Sequence, residues 1–257
     1  MRNLKISIIT VCLNAEKLLE DTIKSVIQQN YKNIEYIIID GGSFDNTLNI
    51  INQYKNNISK IISEPDQGIY DAMNKGISHS TGDFLYFLNA GDKLFSNKTL
   101  SNIANFYQKN PNVDIIYGDV KLSNLSIKWT VNKKTNKGII KNKKYLFINM
   151  FCQQRAFFNK IVFNKLGFLD TSYKIIADYD IIFKAYSTGM NFEYLNEPIA
   201  IIPLGGFSNI HMNQFLLERL RSLKNIPLWN WWWIIIWAIE AIFRGSLKKY
   251  ILFKIKH

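Results

Sequence analysis

Asp92 ends the stretch Phe84-Leu85-Tyr86-Phe87-Leu88-Asn89-Ala90-Gly91-Asp92, an apolar run that opens into a glycine turn and closes on a carboxylate. A carboxylate just past the carboxyl end of a buried strand is where open α/β sheets place their ligand chemistry. Oxygen ligands on so tight a turn suit Mg2+ or Mn2+ held together with a diphosphate. The plainer alternative is a cap for the helix that follows. Asp40 stands at a similar position, after Ile34 to Ile39 and before Gly41-Gly42. It belongs either to a βα turn or to a site that accepts hydrogen bonds from a base or ribose.

Asp178 and Asp180 separate by helix geometry. Asp178 shares the i, i+3, i+4, i+7 stripe with Ile181, Ile182 and Ala185, so it points inward and is the general-base candidate. Asp180 lies four residues before Lys184 and reads as a surface ion pair. His79 reads as a surface residue near a helix end, and His211 as structural or within reach of a metal. Gln153-Gln154-Arg155 on a strand would alternate faces, so Gln153, Arg155 or both line a cleft, or the strand is a plain edge.

These residues need a frame. Ile6 to Val11, Ile34 to Ile39, Ile58 to Ile62 and Phe84 to Leu88 read as strands. Between them, Glu16 to Gln29, a segment capped by Ser43 and running to about Tyr54, and residues 68–79 read as helices. The 68–79 helix carries Asp71, Asn74, Lys75 and Ser78 on its polar side. Strand–helix repeats of this length predict a parallel sheet with right-handed crossovers. Further on, the pattern predicts a helix over 98–109 and a strand over Val113 to Tyr117. A hairpin over 120–129 and a basic loop with six lysines from Lys133 to Lys144 follow. A strand over Phe151 to Phe158, a helix over Asp178 to Thr188 and a strand over Phe192 to Ile202 complete the list.

The chain has 257 residues, enough for one large domain or two fused halves. Its net charge of +12 favours an anionic partner. Two distant cysteines, Cys12 and Cys152, imply no disulfide framework or zinc site and fit a reducing compartment. The first residues are too short and polar a run for a signal peptide, which places the site-bearing part in the cytosol.

Together these segments resemble family 2 glycosyltransferases of the GT-A fold, over residues 5 to about 210. Thr10-Val11-Cys12-Leu13-Asn14 sits where that family has Thr-Pro-x-Tyr-Asn, and Asp40-Gly41-Gly42-Ser43-x-Asp45 matches its Asp-Asp-Gly-Ser-x-Asp turn. Glu64-Pro65-Asp66-x-Gly68-Ile69-Tyr70-Asp71-Ala72-x-Asn74-x-Gly76 resembles the branch that builds bacterial surface polysaccharides. Asn89-Ala90-Gly91-Asp92 falls at the metal-binding Asp-x-Asp position, and Ala177-Asp178 where the family carries Glu-Asp.

The resemblance implies an inverting transferase with a nucleotide-diphosphate sugar as donor and a lipid-linked or other glycan as acceptor. By it, Thr10, Asn14, Asp40, Asp66 and Lys75 bind the donor, and Asp92 holds Mn2+ or Mg2+ on the diphosphate. Asp178 deprotonates the acceptor hydroxyl, with Gln153 and Arg155 on the acceptor side. Residues 1–93 form the nucleotide-sugar half and 94–215 the acceptor half of one GT-A domain. The sequence departs from the family at Gly41, at Leu13 and in having a single carboxylate in the metal motif. A different class of reading stays open, a non-catalytic protein that binds sugar nucleotides or glycans.

Residues 216–257 read as a helical membrane-associating tail. Its uncharged run from Asn225 to Ile239 is 15 residues, short of the ~20 needed to span a bilayer. Trp229, Trp233 and Trp237 recur at helical spacing, and Arg244, Lys248, Lys249, Lys254 and Lys256 follow. Indoles beside basic residues suit an anionic headgroup region, so the tail is expected on the inner face of the plasma membrane. A docked core helix or dimer surface is the alternative. No nucleic-acid motif accompanies the charge, and a homo-oligomer stays open.

Overall fold

A computed structural model describes residues 4–122, 152–203 and 212–222. The hairpin beyond Leu122, the basic loop, His211 and the stretch after Ser222 lie outside the described residues. The chain begins β1 (Ile6–Cys12), α1 (Leu19–Ile27), β2 (Ile34–Asp40), α2 (Thr47–Gln53), β3 (Lys60–Ser63), α3 (Ile69–His79) and β4 (Phe84–Phe87). It continues with β5 (Lys93–Leu94), α4 (Thr99–Lys109), β6 (Ile115–Leu122), β7 (Ala156–Asn159), α5 (Lys160–Leu166), α6 (Ala177–Ser187), β8 (Phe192–Ile202) and α7 (Met212–Ser222).

One sheet runs in the order β3-β2-β1-β4-β7-β6-β8-β5. β3, β2, β1 and β4 are parallel, as the strand–helix rhythm requires. β7 enters antiparallel between β4 and β6, while β6 and β8 pair in parallel. The β-branched runs are continuous because helices cover both faces; every residue of β1 is buried. One face packs Ile9, Val11, Ile37 and Ile39 against Tyr70, Met73 and Ile77 of α3 and Ile181, Ile182 and Ala185 of α6. The other packs Ile6, Ile8, Tyr36 and Ile38 against Leu19, Ile23 and Val26 of α1 and Leu100 and Ile103 of α4.

Several sequence expectations are corrected. Ser43 does not cap α2; the helix starts at Thr47, whose amide donates to Asp45 Oδ1 at 2.9 Å. Gln153–Arg155 forms a single 3-10 turn rather than a strand, and β7 begins only at Ala156. Two elements escape the sequence reading, the two-residue β5 and the short α5, while α7 begins at Met212, ahead of the helical tail expected from 216. α5 is capped by Asn159, whose side chain accepts from the Ile161 amide at 3.0 Å.

Candidate active site

The carboxyl ends of β1, β2 and β4 carry the loops that bear Asn14, Asp40 and Asp92. After β4 the chain turns tightly, with the Asp92 amide donating to the Asn89 carbonyl at 2.9 Å and the Gly91 amide to Thr22 Oγ1 at 2.9 Å. Asp92 is 4% exposed, and its Oδ2 accepts from Gln154 Nε2 at 3.2 Å. Burial pushes its carboxyl up to about 7, and the Gln154 bond offsets only part of that. Asn89 Oδ1 is buried with no hydrogen-bond partner. A desolvated carboxylate beside an orphaned amide oxygen is a donor set that fits a hard divalent cation. Among the described residues no cluster of three or more His, Cys, Asp or Glu surrounds it. A cation here would therefore draw much of its coordination from elsewhere.

Asp178 sits in the first turn of α6, half-buried. Its Oδ1 accepts from the Tyr70 hydroxyl at 3.2 Å and its Oδ2 from the Gln153 amide at 3.4 Å. Burial pushes its carboxyl up to about 6, while the Tyr179 and Gln153 amides and the Tyr70 phenol hold it below what burial alone would give. A carboxylate poised near neutrality, with long hydrogen bonds, suits a group that must take up a proton. Asp180 does pair with Lys184, at 2.7 Å. The surface placement is corrected: Asp180 is 4% exposed, more buried than Asp178.

The 153–155 turn joins the two carboxylates. Gln153 reaches Asp178, Gln154 reaches Asp92, and Arg155 points away, its Nε donating to the Gly118 carbonyl at 2.9 Å and its guanidinium meeting Asp119 at 3.4 Å. Arg155 thus ties the turn to β6. Gln153 is 5% exposed and its Oε1 has no hydrogen-bond partner. Tyr70 and Gln154, which bond Asp178 and Asp92, had no role in the sequence reading. Both stood inside motifs it quoted, Tyr70 with no role assigned and Gln154 on the face of a supposed strand opposite Gln153 and Arg155.

The donor-side candidates divide. Thr10 is fully buried and shares a hydrogen bond with Tyr36 at 3.2 Å. Asp40 is fully buried too; Ser43 and Ser63 both donate to it, and it shapes the turn. Asn14 is exposed, and its side-chain oxygen accepts from the Phe44 amide at 3.1 Å, bracing that same turn. Asp66 lies over Gly41: a Cβ at position 41 would fall 2.3 Å from Asp66 Oδ2. Gly41 therefore makes room for a carboxylate delivered by the 64–68 loop. Lys75 secures that loop, bonding the Pro65 carbonyl at 3.0 Å and pairing with Glu64 at 2.9 Å and Asp71 at 3.6 Å.

A family model described as Glycosyl transferase family 2 matches residues 7–167, which hold the β1 to β4 frame, Asp66, Asp92 and the 153–155 turn. The chain belongs to glycosyl transferase family 2. A PGL/p-HBAD biosynthesis glycosyltransferase of Mycobacterium bovis is 32% identical to it over 219 residues, 83% of this chain and 83% of that one. Residues 1–349 of S. aureus TarS, in complex with UDP-GlcNAc, superpose with a TM-score of 0.71 at 17% identity, covering 88% of this chain and 68% of that one. The mannosyltransferase PcManGT from Pyrobaculum calidifontis, in complex with GDP-Man and Mn2+, gives 0.66 at 16% identity, with 88% and 68% covered. The chain spans 45% of the longer TarS structure. These likenesses give this family 2 glycosyltransferase a GT-A-like fold.

Proposed function

We propose that this glycosyltransferase moves a sugar, with inversion, from a nucleotide-diphosphate donor to a lipid-linked glycan in bacterial cell-surface polysaccharide synthesis. The observation that carries the reading is the single turn that bridges Asp92 and Asp178. It ties a cation-type oxygen site and a near-neutral base to one short segment, Gln154 bonding Asp92 and the Gln153 amide bonding Asp178. The nucleotide sugars bound by TarS and PcManGT support the donor class. Residues 1–93 serve the donor and 94–215 the acceptor, with Asp66 and Asn14 toward the nucleoside, Lys75 holding the Asp66 loop and Gln153 on the acceptor side.

Asp178 accepts the proton of the acceptor hydroxyl as that oxygen bonds to the anomeric carbon and the bond to the diphosphate breaks. Asp92, with Asn89, would hold Mn2+ or Mg2+, which when bound offsets the negative charge of the leaving diphosphate. Because Asp178 works as the carboxylate, turnover falls as pH drops below about 6. The deciding experiment compares Asp178→Asn with Asp180→Asn. The first lowers turnover by about two to four orders of magnitude with donor binding by calorimetry intact, and the second changes turnover little. An active Asp178→Asn beside a dead Asp180→Asn would reverse the assignment.

A further inference from the structure

α7 grips the segment that leads into the base. Residues 167–176 join α5 to α6 without helix or strand, and the backbone of 174–177 leads into Asp178. Glu218 of α7 is 8% exposed, and its two carboxylate oxygens accept from consecutive amides, Lys174 and Ile175, at 2.9 Å each. Gln214 holds that carboxylate in place, Nε2 to Oε1 at 3.0 Å. On either side of this clamp the Arg221 guanidinium lies 5.3 Å from the centre of the Tyr173 ring and that of Arg219 5.3 Å from the Tyr179 ring. One helix therefore contacts positions 173, 174, 175 and 179 around Asp178.

A clamp here bears on more than folding. Beyond the amides of its own turn, such as Tyr179, the Asp178 carboxylate is held by two long contacts, 3.2 Å from Tyr70 and 3.4 Å from Gln153. The place of the base is therefore set by the backbone beneath it, and Glu218 fixes that backbone three residues upstream. We propose that Glu218 is a positioning residue for the base, acting through the Lys174 and Ile175 amides. The proposal rests on Asp178 being that base. A carboxylate can accept from both amides at once, whereas a glutamine offers one oxygen.

The test measures donor turnover with Mn2+, using whichever of UDP-GlcNAc, UDP-glucose or GDP-mannose reacts fastest, and counts UDP-binding sites per chain by calorimetry. Glu218→Ala should lower kcat about tenfold to a hundredfold, the scale of a base displaced by about an ångström, with donor KM and binding stoichiometry unchanged. Glu218→Gln should recover part of the loss. A purely structural clamp would instead lower kcat and binding stoichiometry together, and that result overturns the proposal. Should the alanine variant fail to fold, the glutamine variant decides alone: reduced kcat at full stoichiometry supports positioning, and wild-type kcat refutes it. If Asp178→Asn keeps its turnover, the base assignment falls and takes the positioning role with it. If Asp178→Asn is dead while both Glu218 variants run at the wild-type rate, only the positioning role falls.

Discussion

At Asp92, burial and charge oppose each other. A carboxyl at about 7 in the folded chain and near 3.8 in the unfolded one prefers to be protonated when folded. Its contribution to stability is therefore complete below about pH 4 and is lost as pH rises through about 7. The span corresponds to an upper bound of about 4 kcal/mol. Asp92→Asn keeps an oxygen for Gln154 and removes the buried charge. Without divalent cations, the variant should melt at a higher temperature than wild type at pH 8 and at a similar one at pH 4. Mn2+ should raise the melting temperature of the wild type and leave the variant unmoved. Equal Mn2+ stabilisation of both proteins would place the cation elsewhere. The places of Asp92, just past β4, and Asp178, in the first turn of α6, were legible in the sequence because their spacing from buried runs is a local property. The hydrogen bonds of Thr10 and Asp40 were not, since partners 26 residues away in Tyr36 and 23 away in Ser63 make them.

At the scale of elements, α3 carries Tyr70 to Asp178 and Lys75 to the Asp66 loop, so its seating on the sheet sets two parts of the site. It lies close on β1 through Gly76: a Cβ there would fall 2.3 Å from the Ile9 methyl carbon Cγ2. Ile9 is fully buried, so the methyl has nowhere to go. Gly76→Ala should destabilise the fold by about 1–3 kcal/mol, the usual cost of overpacking, read as a lower midpoint in urea with an unchanged slope. An unaltered midpoint would mean that α3 can slide outward at no cost. The central strands and α1, α3, α4 and α6 could be read from the sequence because burial on one or both faces imposes a period. The 153–155 turn could not, since polar residues next to the apolar Ala156-Phe157-Phe158 look like strand alternation. Long-range contacts hold it as a turn, among them those to Asp92, Asp178, Gly118 and the Tyr86 hydroxyl. β5 is two residues long, too short for any period, and its place comes from pairing with β8.

At the scale of the whole molecule, α7 connects the segment ahead of Asp178, the proposed base, to the aromatic tail of the sequence. α7, which clamps residues 174 and 175, ends at Ser222, and the tryptophan-rich run starts a few residues later. Among the described residues no helix is long and apolar enough to cross a membrane. The tail's uncharged run is also too short to span one, yet its indoles and basic residues suit an anionic headgroup layer. Lying there, it would hold the cleft beside a membrane-bound acceptor and raise the acceptor's local concentration with no new contact in the cleft. Deleting residues 226–257 leaves α7 and Glu218 in place. The shortened protein should no longer float with anionic vesicles, should keep its turnover on a soluble acceptor analogue, and should lose most of its activity on a lipid-linked acceptor in vesicles. Unfolding on truncation would assign the tail to the core or to a subunit interface, and continued flotation would move the membrane contact onto the domain itself.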